Sequence, residues 1–169
     1  MREETGRSAM NRPQGFTIIE LMVTIVVLAI LLSMAIPSFQ SMIERRRLIG
    51  AAEAVYSDLQ FAKSEALKKN INITAEIGDG DDCEDLCPTG WCFKVAEEVT
   101  ACGFSFPGVS TTSVFSVTFN HVRGTASNKS VTFSLGANQV KVSVSILGRI
   151  MICVPPDAPM IGGYRLCSS

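Results

Sequence analysis

The run FTIIELMVTIVVLAILLSMAI, Phe16 to Ile36, is 21 residues long and holds one ionisable side chain, Glu20. As a helix it reaches about 31 Å, enough to cross the hydrocarbon core of a bilayer. The preceding residues are polar and carry Arg2, Arg7 and Arg12 against Glu3 and Glu4. A secretory signal peptide has its small-residue cleavage site after the apolar run. Here the small residue, Gly15, stands before it. The segment is therefore expected to survive processing as an anchor. A plain anchor leaves Glu20 unexplained, because an unpaired carboxylate inside an apolar helix costs a few kcal/mol in lipid.

Gly15-Phe16-Thr17-Ile18-Ile19-Glu20-Leu21, followed by the apolar run and Pro37, resembles the prepilin peptidase motif of type IV pilins and type II secretion pseudopilins. The resemblance implies cleavage between Gly15 and Phe16 by a prepilin peptidase and N-methylation of Phe16. It implies that Glu20 docks each subunit against its neighbour's N-terminal amine, each charge relieving the other's desolvation. The leader begins at Met1 or at Met10, and the second start would leave the short leader Met10 to Gly15.

Beyond Pro37 the pattern stays helical to about Asn70. Leu48, Ala52, Val55, Leu59, Ala62 and Ala66 recur at spacings of four and three, one apolar stripe on a helix. The rest reads as strands. Phe115, Val117 and Phe119 alternate with small polar residues, as do Val131, Phe133 and Leu135. Val140, Val142, Val144 and Ile146 form a longer run that extends on this reading through Ile150 and Ile152 to Val154. Period two with one apolar face predicts antiparallel sheets covered on one side. Ile71 to Ile77, Trp91 to Val95 and Val99 to Phe106 are further candidate strands, and Gly124, Gly136 and Gly148 mark turns.

Three later segments, Phe61-Ala-Lys-Ser-Glu-Ala-Leu-Lys-Lys-Asn70, Phe119-Asn-His-Val-Arg-Gly124 and Ser145-Ile-Leu-Gly-Arg149, are similar to the GspH/FimT family of minor pilins and H-type pseudopilins. The expected fold is α+β and pilin-like: a long N-terminal helix, half transmembrane and half amphipathic, packed on an antiparallel β-sheet head. The expected organisation is a prepilin leader (1–15), a transmembrane and assembly helix (16–37), the amphipathic half of that helix (38–70) and a β-rich extracytoplasmic head (71–169).

Cys83, Cys87, Cys92, Cys102, Cys153 and Cys167 all follow the anchor. In an extracytoplasmic head an even count suits three disulfides. Cys153 with Cys167 would close a short proline-rich loop, worth about 3 kcal/mol in the chain-entropy model, and a late cysteine pair fits the family. Cys92 and Cys102 face each other across a hairpin centred on Glu97, which leaves Cys83 with Cys87. The spacing lacks the paired C-x2-C knuckles of a zinc site. Asp79, Asp81, Asp82, Glu84 and Asp85 put Cys83 where a calcium loop needs an oxygen, so they read as a solvated acidic loop. No metal or other cofactor is expected. Catalysis has little foothold either: His121 is the single histidine, with no phosphate loop and no G-x-S-x-G elbow.

Residues 71–102 carry eight acids against Lys94, whereas 103–169 carry Arg123, Lys129, Lys141, Arg149 and Arg165 against Asp157. Those five bases are candidate phosphate contacts if they share a face. The resemblance bears on this, since DNA-uptake members carry Gly-Arg-x-Arg where this chain has Gly148-Arg149-Ile150-Met151. Arg45-Arg46-Arg47 reads as a solvated stretch between membrane and head. The sequence thus predicts a non-enzymatic minor pilin or pseudopilin. It would be single-pass in the bacterial inner membrane, with its head in the periplasm, and be incorporated in a pilus or pseudopilus. Its partners would be other pilins or pseudopilins and the prepilin peptidase. The alternative is a DNA receptor in natural transformation, with DNA binding expected to be weak.

Overall fold

The structure, a computed structural model, describes residues 15–78, 87, 90–96, 98–111 and 115–167. The leader through residue 14, the acidic loop at 79–85 and Cys83 lie outside the described residues. The chain divides into two compact units, Met1–Gln40 and Ser41–Ser169.

Helix α1, Ile18–Lys69, contributes to both units. In the first unit its bulky side chains are uncovered: Ile18 is 80% exposed and Leu31 61%. The segment is long and apolar enough to cross a membrane. Two of its hydroxyls are satisfied locally, Thr24 Oγ1 donating to Leu21 O at 2.8 Å and Ser33 Oγ to Ile30 O at 2.7 Å. Such internal bonds are what an apolar solvent demands.

In the second unit α1 changes character. Leu48, Ala51, Ala52, Val55, Leu59, Ala62 and Ala66 are fully buried. Four of these seven residues are alanines, so much of the buried stripe is made of small side chains, while Arg45, Arg46 and Arg47 are exposed. The helix stops after Lys69, where Asn70 takes φ 56°, a left-handed conformation that Asn tolerates well at a helix end.

Among the described residues the rest of the head holds two four-stranded antiparallel sheets. The first, in the order β3-β2-β1-β5, comprises β1 (Ile73–Gly78), β2 (Cys92–Val95), β3 (Glu98–Cys102) and β5 (Phe115–Phe119). The second, in the order β4-β6-β7-β8, comprises β4 (Ser110–Thr111), β6 (Lys129–Leu135), β7 (Asn138–Val144) and β8 (Ile150–Cys153). The expected alternation is present: Phe115, Val117 and Phe119 are buried, as are Val131, Phe133, Val140, Val142 and Val144. The long run to Val154 is not one strand. It turns back at 145–149, where Gly148 has φ +68° and Ile146 and Leu147 are 66% and 79% exposed. Period two persists on both sides of the turn, so the pattern alone does not reveal the reversal.

Trp91 locks the sheet core. Its ring stacks on Phe106 (centroids 6.1 Å apart) and meets Phe133 edge-on at 5.2 Å. Its Nε1–H donates to Val109 O at 3.2 Å, which settles the one polar atom the ring buries.

The disulfide expectations need correction in this region. Cys92 and Cys102 are cross-strand partners in the β2–β3 ladder, but Cys102 is bonded to Cys87, with their Cα atoms 5.6 Å apart. That excludes both the Cys92–Cys102 and the Cys83–Cys87 pairings. The physical reason is that Cys87, fully buried, lies over the hairpin end beside Cys92 and Cys102 and takes the Cys102 sulfur. Cys92 is itself disulfide-bonded. At the other end of the head Cys153 is bonded to Cys167, Cα atoms 5.0 Å apart.

Candidate assembly and binding surfaces

The first candidate surface is the start of α1. Thr17 precedes the first helical residue, and its Oγ1 accepts the backbone N–H of Glu20 at 3.2 Å. Thr17-x-x-Glu20 thus has the spacing of a capping box. Glu20 also stands in the first turn, where the helix dipole favours a carboxylate. The sequence reading passed over this local role, although the spacing was visible. Among the described residues no side chain pairs with the Glu20 carboxylate. Gly15 has open space where a side chain would project.

The second surface is a junction in the head where the three later motif segments meet. Lys63, on α1, donates from Nζ to Gly148 O at 2.9 Å. Gly148 lies so close to the 120–125 loop that a Cβ on it would stand 1.9 Å from Gly124 O. A Cβ on Gly124 would in turn meet Lys63 Cε at 3.2 Å. Ala126 N–H donates to Ile146 O at 3.0 Å and joins the two loops further. Both glycines have positive φ, so side chains are excluded by conformation as well as by space.

The 120–125 loop is built by Asn120, whose Oδ1 accepts Val122 N–H at 2.9 Å and whose carbonyl accepts Gly124 N–H at 2.9 Å. His121 is held there by Asn72, with Nδ1 2.9 Å from Asn72 Oδ1. It positions the loop against the start of β1.

The third surface is an open groove of ≈ 830 Å³ between α1, β8 and the C-terminal segment. Glu53 and Tyr56 form its helix side, and Ile150 to Cys153 its strand side. Tyr164 spans it, its hydroxyl donating to Glu53 Oε1 at 2.5 Å. Burial, and then the Glu53 carboxylate it bonds, push the Tyr164 phenol up to about 12. The Cys153–Cys167 disulfide anchors the segment that carries Tyr164.

The five candidate phosphate contacts are divided by this geometry. Lys141 and Arg165 line the groove together. Arg149 lies in the 145–149 turn and Arg123 in the adjoining 121–123 turn, both exposed. Lys129 opens β6, opposite Val144 in the ladder. Met151, at the position of the second Arg in the uptake motif, also lines the groove and is 42% exposed. The sequence named these cations but not the groove, because Tyr56 and Arg165 are brought together only by the folding back of the C-terminal segment.

Residues 10–36 match the family model of the prokaryotic N-terminal methylation motif, and residues 51–148 match that of the type II transport protein GspH. Among solved structures, the type IV minor pilin FimU of Pseudomonas aeruginosa is similar. The two chains are 22% identical with a TM-score of 0.45, and the match covers 69% of this chain and 95% of that one.

Proposed function

The chain belongs to the GspH family of type II transport proteins, and from that premise we propose that it is a structural subunit, a minor pilin or pseudopilin assembled through α1. The observation that carries this reading is the start of the helix. A continuous apolar stretch that the chain leaves uncovered is joined to one carboxylate with no partner among the described residues. Such a surface is stable in lipid or in a filament core, and Glu20 then finds its partner on another subunit. In this reading a prepilin peptidase cuts between Gly15 and Phe16, Phe16 is N-methylated, and 16–37 spans the bacterial inner membrane. The head stands in the periplasm. The matched methylation motif supports the processing step. No catalytic role is proposed.

Intact-mass measurement of the membrane-extracted protein tests the processing, with a mature chain beginning at methylated Phe16 expected. A chain beginning after residue 36 would remove the anchor and overturn the reading. Assembly is tested by the amount of subunit in sheared filaments, which Glu20→Ala should lower while leaving membrane insertion intact.

One observation favours a second reading, a DNA receptor: Lys141 and Arg165 share a groove. Met151 in place of a second Arg argues for weak, sequence-independent binding at most. Affinity of the full chain for duplex DNA over a salt series decides between the two. Each cation–phosphate pair removed by substitution should lower the salt slope by about one.

A further inference from the structure

The edge of β8 is an unfilled place in the second sheet. Strand order puts β7 on one side of it and no strand of the described residues on the other. Among the described residues the C-terminal segment pairs with that outer edge at one point: Val154 N–H donates to Arg165 O at 2.9 Å, and Cys167 N–H donates to Val154 O at 2.8 Å. Upstream of this bridge the segment turns away at Gly162 and Gly163, and the gap is the groove described above.

Parity then fixes which backbone groups face the gap. In an antiparallel strand alternate residues bond to opposite sides. Val154 bonds outward, so Ile152 and Ile150 also present their N–H and C=O outward, into the groove. Met151 and Cys153 bond inward to Ser143 and Lys141, their partners in the β7 ladder. The turn agrees, since Ser145 N–H donates to Arg149 O on the inward parity. The edge therefore offers two residues of unpaired backbone beside an apolar wall, Met151 and Leu166, the latter 51% exposed. Unpaired edge groups are a template for another strand.

The groove's charges restrict what can enter. Lys141 and Arg165 are its cations. Its one carboxylate, Glu53, is engaged by the Tyr164 hydroxyl. We infer that the β8 edge binds an extended, acidic segment of a partner protein by strand addition. The segment's backbone pairs with Ile150 and Ile152, and its carboxylates lie against Lys141 and Arg165. This contact belongs to the head alone and does not depend on the role of α1 in assembly.

The test uses the full chain in detergent with synthetic eight-residue peptides of alternating Val and Glu, or alternating Val and Lys. Amide exchange followed residue by residue should slow at Ile150 and Ile152 when the acidic peptide binds, and stay unchanged at Met151, which is already bonded to β7. Backbone N-methylation of the peptide at one parity should abolish binding, and at the other parity leave it within a fewfold. Lys141→Glu with Arg165→Glu should weaken the acidic peptide roughly tenfold, two exposed ion pairs' worth, and favour the basic one. The idea is overturned if exchange at Ile150 and Ile152 does not slow at saturating acidic peptide. Equal loss from N-methylation at both parities overturns strand addition. Duplex DNA protecting the same amides while the peptide does not would assign the groove to a nucleic acid instead.

Discussion

Gly148→Ala should destabilise the head by roughly 3–5 kcal/mol, because three costs coincide at one residue. Its φ of +68° is left-handed, and a non-glycine residue held there costs about 1 kcal/mol or more. The new Cβ would lie 1.9 Å from Gly124 O, a backbone atom that cannot rotate away. The 120–125 and 145–149 loops must therefore part by about 1 Å in a packed region. Parting them stretches the 2.9 Å bond from Lys63 Nζ to Gly148 O, and a bond from a charged donor is worth about 1.5–3 kcal/mol. For a head of this size the sum corresponds to a fall in Tm of roughly 10–20 °C. The assay is thermal unfolding of the full chain in detergent, followed by fluorescence of Trp91. It is the single tryptophan and is 3% exposed in the head core, so its signal reports this unit. Lys63→Met removes the hydrogen bond without touching the backbone and should cost about 2 kcal/mol. A Gly148→Ala protein that melts within about 3 °C of wild type, less than 1 kcal/mol by the same scaling, would refute the close approach of the two loops.

Glu20→Ala and Glu20→Gln separate the two roles open to that residue: both should lose filament incorporation if the charge docks a neighbour, whereas recovery by Gln would assign Glu20 to the capping box with Thr17. Cys153→Ser with Cys167→Ser should cost about 3 kcal/mol in the same thermal assay, since the bridge closes a loop of 14-residue separation. Tyr164 holds its proton more tightly in the folded chain than in the unfolded one, so its contribution is complete below about pH 10 and is lost as pH rises through about 12. Ultraviolet titration should show one phenol ionising late, and Tyr164→Phe should remove that late step and flatten the loss of stability between the two values.

The parts of the fold that rest on one repeating period were legible. A spacing of four and three placed the buried face of α1 from Leu48 to Ala66, and period two identified the inward residues of β5, β6 and β7. Both signals depend on near neighbours along the chain, so no tertiary information is needed to read them. The hairpin at 145–149 shows where this stops. Ile146 and Ile150 are both apolar and both even-numbered, yet one is 66% exposed on a turn and the other 6% exposed in β8. Periodicity records which face a residue would occupy, not whether the chain has reversed.

The cysteines show the same limit in a different form. Register did put Cys92 opposite Cys102, so a local argument about the hairpin was geometrically sound. It was insufficient because a sulfur chooses among every thiol within reach, and Cys87 comes over the hairpin end from a segment whose path no local pattern specifies. Cys153 and Cys167 were simpler, since no other cysteine follows residue 102 and the loop between them is short. The groove belongs with Cys87. Glu53, Lys141 and Tyr164 come from a helix, a strand and a C-terminal segment, and the turn at Gly162–Gly163 decides that they meet. Motif similarity reached further than periodicity here. The segments at 61–70, 119–124 and 145–149 are far apart in sequence, yet Lys63, Gly124 and Gly148 converge on one junction. Residue identity at such a point is restricted by space and φ, so a family can keep it whatever its members bind. That junction accounts for the glycines of the motifs through packing alone, and it leaves Arg123 and Arg149 on exposed turns, where substitution changes the surface without disturbing the core.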